Sequence, residues 1–292
     1  MNNKSRTIFA TFLLVIFSIS HSESPPKTIY FAVLSLYDPY QTYQEFQPLI
    51  DYISREADVP IDFYFATGYL DAVKALGEGR AQLAYLGGIT YLQARKYYHA
   101  IPLVQPLNEE GQPFYHSLLI ASEKSSIKSV FDLQNQKICF GSTLSTSGYW
   151  VPRYMLLQQK SPFPEKQYCG YYPHHIDIIK SVINGECSAG FIKDVVIKNR
   201  SYTGIKVVLK SELIPSYPIV ASPSLQPALR EKIQKVLGKL TANEIKKIPF
   251  YNQLSNEFKH GFVRSNDNHF DSLRTLLQAL SGTEWPEQLS IH

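Results

Sequence analysis

The chain has 292 residues, of which 44% are apolar and 18% are charged, a composition typical of globular proteins rather than disordered ones. Its length exceeds that of most single domains, so two lobes with sizeable cores are expected. The formal net charge of +4 is too small to indicate binding to nucleic acid.

The N-terminal 22 residues have the pattern of a secretory signal peptide. Lys4 and Arg6 precede an apolar run over residues 8–19, which is short for a membrane span and is followed by small polar residues. We expect cleavage near Ser20 or Ser22 and export of the mature chain, whose formal charge falls to +2 without the two basic residues. A retained membrane anchor is the alternative.

The chain contains three cysteines, Cys139, Cys169 and Cys187. An oxidising compartment permits one disulfide and leaves one thiol over. Buried cysteines that behave as small apolar residues are the alternative. Their spacing matches no zinc-binding pattern.

In chain order, predicted strands alternate with predicted helices after the signal peptide. The expected order is strand 28–35, helix 46–53, strand 59–65, helix 71–80, strand 82–88 and helix 90–96. The strands are continuous apolar runs, which are typical of parallel sheets. This βαβ pattern predicts an open parallel sheet.

A second series begins after a long predicted strand at residues 113–122. Its expected order is helix 130–133, strand 137–140, a helix ending near 159, strand 168–172, helix 177–184 and strand 188–192. Strands are then predicted within 206–215 and 218–222. The remainder is predicted to be helical.

Two consecutive series joined by two chain crossings, near 113–124 and 207–222, predict an α/β protein with two open sheets and a two-strand hinge. The expected boundaries are 27–120 for the first part of lobe 1, 121–214 for lobe 2, and 215–292 for the return to lobe 1 and the C-terminal helices. Proteins of this kind usually bind a ligand in the cleft between the lobes.

The segment GSTLSTSGYWVP, residues 141–152, follows a predicted strand and begins a predicted helix. A helix N-terminus carries unpaired N–H groups and a partial positive charge, and Ser145, Thr146 and Ser147 add three hydroxyl donors there. Gly148 permits close approach of another molecule to the backbone. The pattern indicates an anion-binding site, and ordinary N-capping by one hydroxyl is the alternative.

The segment STSGYWVP, residues 145–152, resembles a signature of the periplasmic substrate-binding proteins of phosphate, phosphite and phosphonate ABC transporters. Weaker similarities lie at residues 44–53, 84–88, 174–185 and 214–218. The resemblance covers roughly residues 28 to 225. It implies a two-lobed periplasmic-binding-protein fold of type II and a periplasmic location.

The resemblance also implies a set of ligand-binding residues. The hydroxyl array at the helix start would hold the anion together with a histidine from lobe 2, and tyrosines would close the pocket. The candidates are Ser145, Thr146, Ser147, Gly148, His175, Tyr69 and Tyr115, with Tyr85 as a weaker one. If His175 is protonated, both its nitrogens donate and affinity falls as pH rises through about 6.5.

The chain departs from the family pattern at two acidic positions. Ile176 and Tyr217 stand where an acid is usual, which argues against a ligand with an ammonium group. Asp194 could supply a carboxylate, although we expect it to be exposed. No lysine or arginine is assigned to the pocket.

The resemblance implies a receptor that captures a small tetrahedral oxyanion and delivers it to an ABC permease, as a monomer, without a cofactor and without enzymatic activity. One alternative is a sensor of the same fold that signals to a membrane partner. Another is a hydrolase with Ser145 or Ser147 as nucleophile and His175 as base. The hydrolase is disfavoured because no glycine lies two residues before Ser147, as a nucleophile elbow requires.

Overall fold

The structure of the chain is a computed structural model. It describes residues 27–33, 39–161, 168–198, 202–282 and 285–291. The predicted signal peptide, residues 1–22, lies outside the described residues. Among the helices within these ranges, none has both the length and the apolar character needed to cross a bilayer.

The described residues form thirteen strands, six in one sheet, five in a second and two in a third. In chain order they are β1 (Ile29–Val33), β2 (Ile61–Phe65), β3 (Leu83–Tyr85), β4 (Ile101–Pro106), β5 (Phe114–Tyr115), β6 (Ser117–Ser122), β7 (Ile138–Gly141), β8 (Tyr168–Tyr172), β9 (Ala189–Lys193), β10 (Ile205–Lys210), β11 (Ile214–Pro215), β12 (Ile219–Ala221) and β13 (Phe262–Arg264).

The same ranges contain nine α-helices. They are α1 (Pro39–Ala57), α2 (Tyr69–Gly77), α3 (Gly88–Tyr98), α4 (Val151–Gln158), α5 (His175–Ile183), α6 (Val195–Lys198), α7 (Pro227–Gly238), α8 (Ala242–Ile245) and α9 (Asp271–Ser281). A π-helical turn, Thr146–Trp150, leads directly into α4.

The six-stranded sheet has the order β13-β4-β12-β3-β1-β2, and we call it, with its helices, lobe 1. Strand β1 is parallel to β2 and β3, as the βαβ pattern predicts. The expectation of a parallel sheet fails beyond β3, because β12 is antiparallel to β3 and β4, and β13 is antiparallel to β4.

Strands β4 and β13 are absent from the sequence prediction. Pro102 and Pro106 lie in β4, and proline argues against an inner strand because it cannot donate a ladder hydrogen bond. The structure nevertheless places β4 between β12 and β13. The expectation of a wholly helical remainder is wrong at β13, which has only three residues.

The five-stranded sheet has the order β10-β6-β9-β7-β8, and we call it, with its helices, lobe 2. The predicted long strand at 113–122 is divided at His116, so β5 pairs with β11 at the crossing and β6 joins lobe 2. The predicted two-lobed α/β architecture is confirmed. The residue boundaries of the lobes given above stay predictions.

Each lobe has an apolar core that follows from the periodicity of its elements. Leu49, Ile50 and Ile53 lie on the buried face of α1, at the spacing expected of an amphipathic helix. In lobe 2, Leu118 and Ile120 alternate along β6 and pack in the same cluster as the apolar residues of α5. These cores fix the positions of the loops that connect the strands to the helices.

A disulfide joins Cys139 in β7 to Cys187, which precedes β9, with the two Cα atoms 6.0 Å apart. Both cysteines are buried. The alternative of two buried unbonded thiols at these positions is therefore wrong. The bond connects positions 48 residues apart in sequence, so it constrains a long loop of the unfolded chain.

We expect the double variant Cys139→Ala/Cys187→Ala to lower the free energy of unfolding by about 2–4 kcal/mol, because it removes this constraint. Urea denaturation followed by circular dichroism measures the change. Dithiothreitol should destabilise the wild type to a similar extent and leave the double variant unchanged. A wild type that does not respond to dithiothreitol would contradict the pairing.

Candidate functional site

The hydroxyl-rich segment begins a helix, as predicted. Strand β7 ends at Gly141, Ser145 is the N-cap of the π-helical turn, and Trp150 N donates to the Ser145 carbonyl at 3.2 Å. Ser145 Oγ accepts a hydrogen bond from Gly148 N at 3.0 Å. This hydroxyl therefore acts as a cap, which was the alternative to anion binding.

Gly148 has a packing role that the sequence pattern does not reveal. A Cβ atom at this position would lie 2.9 Å from both the Gly141 Cα atom and the Ser145 Oγ atom. Only glycine fits here without displacing the end of β7. Close internal packing therefore accounts for this glycine without any ligand.

Thr146 connects the two lobes. Its Oγ1 atom accepts a hydrogen bond from the backbone N–H of Ile89, at the start of α3 in lobe 1, at 3.0 Å. A Cβ atom at Gly87 or Gly88 would lie 3.6 Å from this oxygen. That distance is an ordinary van der Waals contact, so the approach of the lobes does not itself require glycine, and Gly88 is required by Leu273, whose Cδ1 atom would lie 2.4 Å from a Cβ atom there.

The backbone of Ser147 is fixed by a hydrogen bond, whereas its side-chain hydroxyl makes none of standard geometry. The Ser117 hydroxyl donates to the Ser147 carbonyl at 2.6 Å. Ser147 Oγ is buried and makes no hydrogen bond of standard geometry with any described residue. Because buried hydroxyls are usually paired, this one is available to an acceptor that enters the cleft.

Two tyrosines from the crossing strands lie beside Ser147. The hydroxyl of Tyr115 is close to those of Ser147 and Tyr217, and the rings of the two tyrosines meet edge to face at 5.5 Å. Neither phenol makes a hydrogen bond of standard geometry among the residues described. Burial raises the pKa of both, so both remain protonated donors at neutral pH.

His175 is the first residue of α5 and is buried. Neither ring nitrogen makes a standard hydrogen bond within the described part of the chain. Burial, followed by the positive charges of Lys193 and His174, lowers the pKa of His175 to about 3. In the absence of an anion the ring is therefore neutral at pH 7, with one nitrogen a donor and the other an acceptor, and the pH dependence of anion affinity stays a prediction.

The other predicted tyrosines differ in their contacts. Tyr69 begins α2, two residues earlier than the predicted helix, and its hydroxyl lies against that of Ser145. The Tyr85 hydroxyl donates to Glu257, so Tyr85 faces Tyr217 through its ring, at 5.6 Å between centroids. Tyr69 and Tyr115 therefore present hydroxyls beside the serine array, whereas the Tyr85 hydroxyl is already engaged.

Sequence reasoning missed a buried ion pair at the edge of this cluster. Lys193 ends β9, and its Nζ atom lies 2.5 Å from Glu257 Oε2, with both side chains almost fully buried. The same ammonium lies 3.8 Å from the Tyr217 ring centroid and 4.7 Å from that of Tyr115. The statement that no lysine belongs to the pocket is therefore wrong.

The prediction that Asp194 is exposed is also wrong, since only 4% of its surface is accessible. Its Oδ2 atom lies 3.5 Å from Lys198 Nζ. Asp194 lines a small cavity of about 50 Å³ together with Tyr115, Lys193 and Glu257. This cavity adjoins the ion pair on the side of the crossing strands.

A wider cleft of about 440 Å³ lies between the lobes on the other side of the array. Residues 66–71 of lobe 1 form one wall, and Ser142, Leu144, Pro173 and His174 of lobe 2 form the other. Tyr69 lines this cleft, and its hydroxyl meets Ser145. The cleft therefore leads to the hydroxyl array.

The structure brings most of the predicted site residues together. The Tyr115 hydroxyl lies beside those of Ser147 and Tyr217, and His175 is within range of the charge of Lys193, whose ammonium lies over both tyrosine rings. We call Ser147, Tyr115, Tyr217 and His175 the donor cluster. No group of three or more His, Cys, Asp or Glu side chains within the described ranges is arranged to hold a metal ion. Buried hydroxyls and a neutral imidazole that make no hydrogen bond of standard geometry can each donate one to the oxygens of an oxyanion.

Comparisons with known proteins agree with this geometry. A sequence profile described as "ABC transporter, phosphonate, periplasmic substrate-binding protein" matches residues 31–270. The phosphate-import protein PhnD of Mycolicibacterium smegmatis is 25% identical over 262 residues, which cover 81% of this chain and 82% of that protein. The phosphonates-binding periplasmic protein of Escherichia coli is 22% identical over 231 residues, which cover 76% and 68%.

Two solved structures share the fold. PhnD1 from Prochlorococcus marinus, in complex with methylphosphonate, has a TM-score of 0.77 at 20% identity and covers 87% of this chain and 98% of its own. A binding protein component of an ABC phosphonate transporter from Pseudomonas aeruginosa has a TM-score of 0.76 at 24% identity, with 88% and 87% covered. These likenesses confirm the predicted type II binding-protein fold.

Two neighbouring serines should differ in what they contribute to stability. Ser145→Ala removes a cap and should lower the free energy of unfolding by about 1 kcal/mol. Ser147→Ala removes no hydrogen bond and should change it by less than about 0.5 kcal/mol, the lower end of what one such bond contributes. Urea denaturation without added anion measures both. Equal destabilisation would show that the Ser147 hydroxyl is paired.

His175 should make the folded state sensitive to acid. Its folded-state pKa of about 3 lies below the ordinary value of about 6.5, so between these values the unfolded chain binds more protons and stability falls as pH falls. Between pH 7 and pH 5 the wild type should lose about 2 kcal/mol more than His175→Gln does.

Urea denaturation at the two pH values, in the absence of anions, measures this difference. His174→Gln, which removes the neighbouring imidazole, is the matched control and should keep the wild-type loss. Identical acid sensitivity in the wild type and in His175→Gln would mean that His175 is not a neutral, desolvated group.

Proposed function

Since the chain belongs to the periplasmic substrate-binding proteins of phosphonate ABC transporters, we propose that it captures a small tetrahedral oxyanion between its lobes and delivers it to an inner-membrane permease. The anion is of the phosphonate, phosphate or phosphite type. Proteins of this family bind solutes and are not enzymes, which excludes the hydrolase alternative.

One observation supports an anion as the ligand. The four buried side chains of the donor cluster make no hydrogen bond of standard geometry with any described residue, and the hydroxyls of Ser147 and Tyr217 lie close to that of Tyr115. Leaving such groups unpaired costs free energy, and an acceptor that satisfies several of them recovers it. An oxyanion of three or four oxygens supplies the missing acceptors, and its charge is favoured at the start of a helix.

The residues of this site have different proposed roles. Ser147, Tyr115 and His175 donate directly to the anion, and Tyr217 joins them. Ser145 and Thr146 keep their hydroxyl protons for the ligand while their oxygens accept from the backbone. The remaining proposed contacts are the Tyr69 hydroxyl, the backbone at Gly148 and the ring of Tyr85.

The proposed ligand would also hold the lobes together. Ser147 and His175 belong to lobe 2, Tyr69 belongs to lobe 1, and Tyr115 lies on a crossing strand. An anion that contacts all of them favours the closed arrangement, in which Thr146 Oγ1 also accepts from Ile89 N across the lobes. A ligand shifts such an equilibrium by its difference in affinity for the two states.

We also propose that the exported protein acts as a monomer without a cofactor and without nucleic acid. The family is periplasmic, which agrees with the predicted signal peptide at residues 1–22. Delivery to a permease is the role that the family implies. The sensor alternative requires a different membrane partner.

A ligand screen with a matched pair of serine variants tests the proposal. Phosphate, phosphite or methylphosphonate should raise the melting temperature of the wild type, because binding to the folded state stabilises it. Ser147→Ala should weaken the best ligand by about 10- to 150-fold in calorimetry, since a hydrogen bond to a charged group contributes about 1.5–3 kcal/mol.

Ser161→Ala is the control, because Ser161 is a buried serine just beyond the far end of α4 and its hydroxyl donates to the Val130 carbonyl. This variant should bind the ligand as the wild type does. Binding that survives Ser147→Ala unchanged would remove the donor cluster as the site. Binding of none of the three anions would refute the proposed ligand class.

A further inference from the structure

Lys193 is a cation that the chain itself places at the edge of the proposed anion site. We propose that Lys193 determines specificity: its ammonium occupies the place that a positively charged ligand substituent would need, so the cleft accepts small oxyanions with uncharged substituents and excludes aminoalkyl ones. This inference rests on the proposed function, whose ligand class it narrows.

The surroundings of Lys193 have the chemistry of an ammonium-binding site. Its Nζ atom lies 3.8 Å from the centroid of the Tyr217 ring, 4.7 Å from that of Tyr115 and 2.5 Å from Glu257 Oε2. Aromatic faces combined with a carboxylate are a recurrent means of binding ammonium groups. We call Tyr115, Tyr217 and Glu257 the ammonium cage. The side chain of Lys193 fills this cage.

The ammonium cage and the donor cluster share two residues. Tyr115 and Tyr217 turn their ring faces to Lys193, and their hydroxyls belong to the donor cluster. The positive charge of Lys193 also acts on His175, whose pKa it helps to lower. An anion on the donor cluster would therefore lie within the length of one tyrosine side chain from the ammonium, which is where a short substituent of that anion would extend.

Charge explains why an aminoalkyl substituent is excluded. The ammonium cage contains one carboxylate, Glu257, and Lys193 already pairs with it. The next carboxylate, Asp194, lies 3.5 Å from Lys198 Nζ. Neither Asp194 oxygen accepts a hydrogen bond of standard geometry among the described residues, yet the charges of the two carboxylates are already balanced by those of Lys193 and Lys198. A further ammonium would therefore give this desolvated site an excess positive charge, and such repulsion is strong where water is excluded.

Shape leads to the same result. Lys193 is 97% buried, with only 3% of its side chain accessible, and the cavity beside it measures about 50 Å³. That volume holds a few water molecules at most. A short uncharged group such as methyl fits beside the tyrosine rings, whereas an aminoethyl group fits only if the lysine side chain is removed.

A matched pair of ligands isolates this effect. Ethylphosphonate and 2-aminoethylphosphonate have the same length and differ in the terminal ammonium. We expect the wild type to bind ethylphosphonate at least tenfold more tightly in calorimetry. Removing the lysine also weakens anions in general, since a nearby positive charge is lost, so the ratio of the two dissociation constants is the informative quantity.

Lys193→Ala empties the cage and leaves Glu257 free, so the ratio should shift by at least tenfold toward 2-aminoethylphosphonate. Lys193→Gln retains a donor for Glu257 and removes the charge, so it should fold and shift the ratio in the same direction. The double variant Lys193→Ala/Glu257→Gln lacks the carboxylate of the cage, so its ratio should not shift toward 2-aminoethylphosphonate. Lys180→Ala, which removes an exposed lysine of lobe 2 that pairs with Asp177 and not with the cage, should keep the wild-type ratio.

Two results would overturn the inference about Lys193, and a third would refute the proposed function. An unchanged ratio in both Lys193→Ala and Lys193→Gln, with folding verified by circular dichroism, would overturn the inference. Equal binding of the two phosphonates by the wild type would overturn it as well. If the wild type binds neither these ligands nor any of the smaller anions, the proposed function itself has failed, and this outcome is distinct from a ratio that does not move.

Discussion

The structure depends on a group of buried hydrogen-bond donors that the chain does not satisfy itself. Ser147 Oγ, the Tyr115 and Tyr217 phenols and the His175 ring are buried and make no hydrogen bond of standard geometry among the described residues. Each unpaired polar group costs about 1–3 kcal/mol, and the apolar cores of the two lobes must offset that cost. A site with this composition is stable only as part of a larger, well-packed fold, and it gains most from a ligand that contributes acceptors alone.

The backbone around these donors is fixed by contacts that do not use the donors themselves. The π-helical turn holds Ser145 through the Trp150 N–H, and the Ser117 hydroxyl fixes the Ser147 carbonyl at 2.6 Å. Such turns are rare and frequently occur at functional sites. Gly148 lets the turn pack against Gly141 at the end of β7. The donors are thus held in place before a ligand arrives, which reduces the entropy lost on binding.

The sequence predicts local features of this site better than its long-range ones. The array at residues 145–147 was predicted because a strand, a turn and a helix follow one another in a short segment. Lys193 and Glu257 were missed because they lie 64 residues apart and carry no motif, and only the packing of lobe 2 against lobe 1 brings them together. The neutral state of His175 has the same origin, since burial and the charge of Lys193 are properties of the assembled cleft. Strand β4 was missed because its two prolines argue against an inner strand, whereas in the structure it pairs with both β12 and β13.

The ion pair of Lys193 and Glu257 relates ligand choice to the movement of the lobes. Lys193 belongs to lobe 2, whereas Glu257 and its partner Tyr85 belong to lobe 1, so the pair is complete only when the lobes meet. Burying an ion pair removes two charges from water, and the attraction between them roughly offsets that cost. The pair therefore contributes little net free energy to closure. It forms only when the lobes meet in the right geometry, because both charges return to water when the lobes separate. The pair therefore does not by itself decide between separated and joined lobes, and the hydrogen bonds that an anion makes with the donor cluster can favour the joined arrangement. A receptor that must both capture and release its ligand requires such a balance.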